Sequence, residues 1–443
     1  MSVASDENTR AADPSDCAPA PSFAEAVGAW AKVGVLSFGG PAGQIALMHR
    51  VVVDEKKWLS EQQFLPALNF CMLLPGPEAM QLATYIGWRL HGVAGGLAAG
   101  LLFVLPGAAV VLALASIYAA FGQVPLVAAV FVGIKAAVLA IVLDALIKVS
   151  KRALKGPFDL AFAAAAFVAI FVLQVPFPLI ILGAAAIGAA LLAARATAPT
   201  TSAEAATELV PLSTTLKTIA TWLTIWIAPL VVIALAFGSD HVLTEAGIFF
   251  SKLAVVTFGG AYAVLAYMTQ EVVQNFGWLT TGEMLDGLGL AETTPGPLIL
   301  VTEFVGFLAG FKAGGWGLAL ATAIVTLWAT FAPCFLWIFA GAPYVEWLNA
   351  QPRLKAALSA VTAAVVGVIA NLAVWFGLNV LFGGTAPDDA GVAEQLAARA
   401  DVKAIVLFAV AAVLLLVLRR GVFTTLGVAA ALALTWHQLV TIG

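Results

Sequence analysis

Charged residues are scarce in this sequence. Of its 443 residues only 10% are Asp, Glu, Lys or Arg, whereas 62% are hydrophobic, and about a quarter charged is usual for a soluble domain. The mean hydropathy of +1.01 points the same way. This composition excludes a soluble globular protein and predicts an integral membrane protein.

Other absences narrow the class further. The three cysteines, Cys17, Cys71 and Cys334, are too few and too scattered for a disulfide framework or a metal cluster. No lysine follows the glycines of a phosphate-binding loop, and no stretch resembles a nucleic-acid binder. We therefore expect no ATPase, no metal or other cofactor, and no nucleic-acid partner.

What the chain does contain is a series of apolar runs along its whole length, each long enough to cross a bilayer as a helix. They predict an all-α polytopic protein, multi-pass in the inner membrane of a bacterium. Residues 1–22 are polar and lack the basic start and cleavage site of a signal peptide. We expect them to form a disordered cytoplasmic tail.

A repeat divides the chain into two halves. The stretch KVGVLSFGG, which starts at Lys32, returns as KLAVVTFGG at Lys252, an offset of 220 residues, and the Pro-Gly-Pro at 75–77 returns at 295–297. One offset held over such a distance predicts a duplicated fold. The predicted divisions are a first membrane repeat at 23–194, a linker at 195–215, an extra transmembrane helix at 216–237 and a second membrane repeat at 241–443.

Each half begins with two apolar segments that glycine and proline interrupt, at 23–53 and 62–90 and again at 241–273 and 283–311. Continuous spans are predicted at 93–121, 124–148, 158–174, 177–194, 216–237, 314–340, 354–382, 402–418 and 421–440. If each broken segment enters and leaves the membrane by the same face, the loops rich in Lys and Arg all lie on one side, as expected of cytoplasmic loops. This predicts two inverted-topology repeats with broken or re-entrant helices, about nine crossings and four re-entrant hairpins.

The breaks themselves indicate an anion site. A half-helix of about 13 residues reaches roughly 20 Å, past the middle of the hydrocarbon. Its free N-terminal amides attract negative charge, and glycine lets backbone approach a ligand closely. The alternative is that the motifs are kinks relieved by nearby Ser and Thr. The predicted substrate-binding residues are Gly39, Gly40, Pro75, Gly76, Pro77, Glu78, Gly259, Gly260, Pro295, Gly296, Pro297, Lys32, Lys252 and Arg89.

The motifs together resemble those of the chromate ion transporter family, in particular its long two-domain members. The stretches that carry the resemblance are FGGP from Phe38, LPGPEAMQLATYIGWRLHG from Leu74, FVLPG from Phe103, FGGAYAVL from Phe258 and TTPGPLILVTEFVGF from Thr293. The resemblance implies a secondary transporter that exports chromate, a tetrahedral dianion, under the proton-motive force. Glu303 departs from the pattern, because a neutral amide is expected there.

Ionisable residues within apolar segments are functional candidates, since each costs a few kcal/mol there. Glu78 begins a helix, so its carboxylate either caps that helix or takes up a proton when an anion competes for the same place. Glu292 and Glu303 flank the second Pro-Gly-Pro and are further proton-coupling candidates. Lys32 and Lys252 either add positive charge near the anion or extend to the lipid headgroups, and Arg89 either gathers anions or anchors a cytoplasmic loop.

Several rival functions stay open on the sequence. Sulfate, molybdate and other tetrahedral oxyanions differ little from chromate, and uptake is as compatible with the motifs as export. An embedded enzyme acting on a lipid or an oxyanion is disfavoured, because no nucleophile-and-base pair is spaced for catalysis, and a scaffold has little use for broken helices. The expected partners are the oxyanion and membrane lipid. Because transporters are often dimers, a homodimer is the protein assembly to test for.

Overall fold

The structure is a computed structural model that describes residues 21–122, 124–191, 211–258, 261–383 and 400–442, and no β-strand occurs in these ranges. Within them, six helices are long and apolar enough to cross a membrane, and three shorter apolar helices accompany them. Each of these nine helices overlaps one of the nine predicted spans. The protein is an all-α polytopic membrane protein.

The first half contains seven helices in the described ranges. They are α1 (Phe23–Leu36), α2 (Gly40–His49), α3 (Glu61–Leu73), α4 (Glu78–Phe121), α5 (Pro125–Ala153), α6 (Pro157–Phe171) and α7 (Phe177–Leu191). The extra helix, α8 (Leu212–Phe237), follows residues 192–210, which contain most of the predicted linker and lie outside the described ranges.

The second half repeats this order with one short addition, α13. Its helices are α9 (Val242–Val256), α10 (Ala261–Gln270), α11 (Thr281–Glu292), α12 (Val301–Gly341), α13 (Val345–Ala350), α14 (Pro352–Leu381), α15 (Val402–Ala412) and α16 (Val422–Ile442). Turns of π-helix extend α2, α10 and α15 over Arg50–Glu55, Glu271–Asn275 and Val413–Val417, and the 3₁₀ turn Leu298–Leu300 precedes α12.

The helices break where glycine and proline predict. Gly39 and Gly40 lie between α1 and α2, with φ of +87° and +74°, and Gly76 lies between α3 and α4 with φ of +122°. Gly296, with φ of +86°, interrupts the chain between α11 and α12. Only glycine adopts this left-handed region at little cost, so these residues can turn the chain at the breaks.

The two longest helices, α4 and α12, each fold back on themselves. The backbone leaves helical geometry at His91 and Gly92 in α4 and at Gly314 and Gly315 in α12. A side chain on Gly87 would collide with Gly95, on the far side of the first turn. Each helix is therefore a short limb that turns into an antiparallel long limb.

The broken segments of the first half enter and leave by one face, here named the first face. Glu25, in the first turn of α1, pairs with Lys56 at 2.7 Å, just after the extension of α2. The second broken segment then starts at α3, and its end returns to the same face, because His91 lies 2.9 Å from the Pro21 carbonyl oxygen beside the start of α1. Both segments are re-entrant.

The re-entrant segment α11–α12 of the second half opens on the opposite face, named the second face. Glu283, in the first turn of α11, pairs with Lys312 at the end of the short limb of α12 at 2.6 Å. The long limb then runs about 40 Å, and α13 beyond it contacts α3 of the first half through a 3.0 Å hydrogen bond from Asn349 to the Pro66 carbonyl. The two halves are thus inverted relative to each other.

Later helices of each half also pack against helices of the other half. In the first half α5 packs on α15 and α16 of the second, whereas in the second half α14 packs on α6 and α7 of the first. At two of these contacts, Gly133 against Ala429 and Gly367 against Ala163, the backbones lie so close that any side chain on the glycine would collide. Reciprocal contacts of this kind relate the halves by an approximate two-fold axis.

Candidate functional site

The breaks of the two halves meet on that two-fold axis. The Gly76 amide donates to the Thr257 carbonyl at 2.9 Å, and its repeat mate, the Gly296 amide, donates to the Ser37 carbonyl at 2.8 Å. Each Pro-Gly-Pro of one half is therefore joined to the FGG break of the other. These two amides serve the contact between the halves and are not free for an anion.

Two buried glutamines hold the same loops. Gln81 donates from Nε2 to the Pro75 carbonyl, and Gln44 donates from Nε2 to the Gly296 carbonyl, each at 2.6 Å. Both side chains are at most 1% exposed. Their carbonyl partners would otherwise lie unpaired in an apolar interior, at a cost of about 1–3 kcal/mol each. Sequence reasoning missed both residues, although an amide inside an apolar helix is a visible signal.

Amides of the first helical turn remain at each break. Pro77 precedes α4, and no side chain caps that helix, while Pro297 precedes the 3₁₀ turn at Leu298 in the same way. A cavity of about 20 Å³ lies between them, lined by Pro77, Glu78 and Ala79 together with their repeat mates Pro297, Leu298 and Ile299. This volume suits about one water, so the loops are closed on each other.

A larger cavity of about 310 Å³, named the central cavity, adjoins this point and shares Pro41 and Glu78 with it. Three pairs of repeat mates line it, which places it between the halves on the two-fold axis: Ala42 with Tyr262, Met72 with Glu292, and Val149 with Ile369. It continues along the last turns of α5 to Arg152. Since α5 ends at the first face, the central cavity extends from the breaks toward that face.

The charges in the central cavity come from residues at non-equivalent repeat positions. Lys148 pairs with Asp144 at 2.6 Å, and the Tyr262 hydroxyl donates to Glu292 at 2.7 Å. Arg152 has no carboxylate within 4 Å in the described ranges, and its Nη2 lies 3.5 Å from the Met72 sulfur. The Arg152 guanidinium therefore lies at the mouth without a salt-bridge partner in the described ranges, within electrostatic range of the Glu78 carboxyl at the inner end.

The predicted site residues divide into three groups. Gly39, Gly40, Glu78 and Glu292 line the central cavity, and residues 75–77 and 295–297 form the loops beside it. Lys32, Lys252 and Arg89 are exposed and do not line it. Gly259 and Gly260 lie outside the described ranges.

Glu303 lies apart from both cavities. It is 1% exposed, and its Oε2 has no hydrogen-bond partner. The residues that sequence reasoning did not place in the site are Asp144, Lys148, Arg152 and Tyr262. Lys148 and Arg152 stand out in the sequence only as part of the Lys and Arg bias that orients the chain, and nothing in the sequence connects Tyr262 with Glu292.

Comparison with known proteins gives a consistent result. The family model described as "Chromate transporter" matches residues 24–189 and 244–436. The chain is 33% identical over 379 residues to a chromate transport protein of Pseudomonas aeruginosa, covering 83% of this chain and 86% of that protein. It is 31% identical over 372 residues to one of Cupriavidus metallidurans, covering 82% and 84%. No solved structure matches the chain.

Proposed function

The chain belongs to the chromate transporter family, and from that premise we propose that it is a secondary transporter which carries chromate out of the cytoplasm and confers chromate resistance. The observation that carries the proposal is the central cavity, which lies between two inverted halves and has Arg152, without a salt-bridge partner in the described ranges, at its mouth. Substrate sites of inverted-repeat transporters lie in this position.

The lining of the central cavity holds three carboxyl groups, Glu78, Asp144 and Glu292, and two cations, Lys148 and Arg152. We propose that a dianion binds when Glu78 and Glu292 carry protons, which leaves Arg152 as the attracting charge. The Arg152 guanidinium attracts the anion from solution, and a planar fork of donors suits a tetrahedral oxyanion. Farther in, the first turn of α4 presents the positive end of a helix dipole next to Glu78. We propose that chromate moves from Arg152 toward this turn as the Pro-Gly-Pro loops separate, because their present gap of about 20 Å³ is too small for it.

The membrane potential favours export of such an anion. Moving one charge across 100 mV releases about 2.3 kcal/mol, so a dianion leaving a negative interior gains about 4.6 kcal/mol. Export of chromate alone can therefore draw on the electrical part of the proton-motive force, with no ATPase required.

Glu78 is the proposed coupling residue. A carboxylate and a dianion at one helix start repel each other, so we propose that Glu78 binds a proton when chromate arrives. A proton that travels with the anion lowers the net transported charge from two to one, which leaves about 2.3 kcal/mol per 100 mV of electrical driving force, less the cost of moving the proton out against its concentration gradient. Glu292, bonded to Tyr262, and the unpartnered Glu303 are proposed to hold protons during the same cycle.

The orientation is proposed from the charge of the two faces. Lysine and arginine are concentrated at the first face, which we assign to the cytoplasm of a bacterium, with the protein in the inner membrane. Those residues are Lys56, Lys57, Lys151, Arg152, Lys155, Arg353 and Lys355. The central cavity then faces the cytoplasm, as an exporter ready to load requires. A homodimer stays a prediction.

Chromate uptake into everted membrane vesicles tests the proposal, because export appears there as uptake. Vesicles with the protein should accumulate ⁵¹Cr-chromate, and a protonophore should abolish the accumulation. Chromate uptake that sulfate or molybdate suppresses at equal concentration would identify a general oxyanion carrier. Accumulation only in right-side-out vesicles would instead show uptake into the cell.

A further inference from the structure

A second cavity, of about 290 Å³, lies toward the second face and is named the outer cavity. It is lined by α10 with its π-helical extension, by α14 and by the turn between α6 and α7. Its polar lining consists of amides and a hydroxyl beside one tryptophan, and no charged residue of the described ranges lines it. These residues are Gln174, Thr269, Gln270, Gln274, Asn371 and Trp375.

The outer cavity continues the line of the central cavity. On α10, Tyr262 lines the central cavity and Ala266, one turn later, lines the outer one. On α14, Ile369 lines the central cavity and Leu372, three residues on, lines the outer one. A turn of helix is about 5.4 Å, so a thin partition of these side chains separates two cavities that together reach from one face toward the other.

The repeat relates the outer cavity to a set of ionisable residues of the first half, of which Arg152 lines the mouth of the central cavity and the others lie outside that cavity. Residues of the outer cavity are neutral where their repeat mates, 220 positions earlier, are ionisable. The pairs are Thr269 with His49, Gln270 with Arg50, Gln274 with Asp54, Asn371 with Lys151, Leu372 with Arg152 and Trp375 with Lys155. The two ends of the path therefore differ in charge and retain a polar character.

The outer cavity also holds an unused hydrogen-bonding group. The Thr269 side chain is 2% exposed, and its Oγ1 has no hydrogen-bond partner. A buried hydroxyl without a partner costs free energy unless a ligand or water completes it. Together with the amides of Gln270 and Asn371, it offers neutral donors to the oxygens of an oxyanion.

We infer that the outer cavity is a second, low-affinity site for the transported oxyanion, from which it is released at the second face. The inference rests on the proposed transport function and adds the outward half of the path. Neutral donors bind a dianion through hydrogen bonds alone, whereas the basic mouth adds charge attraction. An anion that crosses the partition thus leaves a site that holds it strongly for one that releases it readily.

Charge substitutions at Asn371 test this inference. The vesicles are everted and loaded with unlabelled chromate, so that the lumen faces the outer cavity. The measured quantity is the lumenal chromate concentration that half-maximally changes the initial rate of ⁵¹Cr-chromate uptake. A unit charge about 6 Å from a dianion in a water-like medium changes its binding by about tenfold. We expect Asn371→Asp to raise this concentration about tenfold and Asn371→Lys to lower it about tenfold.

Asn379→Asp is the matched control. Asn379 lies two turns farther along α14 and lines a separate cavity with Lys135 and Asp401. This variant should leave the lumenal concentration within twofold of wild type. If the Asn371 variants do not fold, Gln274→Glu and Gln274→Lys place the same charges at the exposed rim.

Two outcomes would overturn the inference. The first is that both charges at Asn371, or both at Gln274, leave the lumenal concentration within twofold of wild type. The second is that Asn379→Asp changes it as much as Asn371→Asp does. In either case the wild type still accumulates chromate, whereas a wild type without any uptake would refute the proposed function itself.

Discussion

Replacement of Arg152 by methionine is the sharpest test of the central cavity. Arg152 lines the cavity mouth and has no carboxylate partner within 4 Å in the described ranges, so its charge is available to a ligand. A methionine side chain keeps the aliphatic contact beside Met72 and removes only the positive charge and the N–H donors of the guanidinium. The neighbouring Lys151 is exposed and does not line the cavity, which makes Lys151→Met the matched control.

The magnitude follows from Coulomb's law. A unit charge and a dianion about 5 Å apart attract each other by about 1.7 kcal/mol in water and by about 3.3 kcal/mol at half that dielectric constant. Because Arg152 is exposed, the lower value is the better guide, and it corresponds to roughly a fifteenfold effect. We therefore expect Arg152→Met to lower kcat/KM for chromate by 15-fold or more, and Arg152→Lys to recover part of that loss.

The assay is the initial rate of ⁵¹Cr-chromate uptake into everted vesicles, corrected for the amount of protein and repeated at low and high salt. High salt should reduce the wild-type rate more than that of Arg152→Met, because screening weakens only a charge interaction. Equal rates for Arg152→Met and Lys151→Met would refute the assignment of Arg152 to the substrate path.

Three further predictions concern other parts of the molecule. Glu78→Gln should flatten the pH dependence of chromate flux and abolish the accompanying proton movement, which a pH-sensitive dye inside vesicles reports; an unchanged proton signal would exclude Glu78. Gly76→Ala should destabilise the protein in detergent by about 1–3 kcal/mol, because Gly76 has φ of +122° and a Cβ there would lie 2.7 Å from Gln81 Nε2 and 3.0 Å from Cys334 Sγ. Gly28→Ala, in a helix with open space around it, should not destabilise the protein. At the second face, burial opposes ionisation of Glu283, but hydrogen bonds from Lys312 and Thr280 lower its pKa overall. The stabilising effect of the Glu283 carboxylate should be full above its unfolded-state pKa of about 4.3 and should disappear as pH falls through its lower folded-state pKa. In thermal unfolding, Glu283→Gln should therefore be less stable than wild type at pH 7 and as stable as wild type in strong acid.

Local sequence features predicted much of the fold. The breaks at 39–40, 76 and 296 could be read directly, because proline and glycine change the backbone wherever they occur. Hydropathy located the spans, since a bilayer selects apolar runs of a set length. The constant offset of 220 residues and the Lys and Arg bias predicted inverted halves, and the Glu25–Lys56 and Glu283–Lys312 pairs show the re-entrant segments directly.

The candidate site was only partly readable. Glu78, Gly39 and Glu292 could be selected because they lie in or beside the motifs, and all three line the central cavity. Lys32 was also selected, for its place before the first FGG, but it extends to the surface and lies 3.8 Å from Glu55. Position along the chain does not determine which way a long flexible side chain points.

By itself the sequence determined that this is a broken, duplicated helical membrane protein, because composition, periodicity and glycine act over a few residues at a time. Only the tertiary structure decided which groups share the cavity and which amides remain free. The Gly296 amide bonds Ser37, 259 residues away, and the Tyr262 hydroxyl reaches Glu292 on another helix. Such pairings depend on how whole helices pack across the two-fold axis, and that packing follows from the sum of many weak contacts, which no short segment specifies.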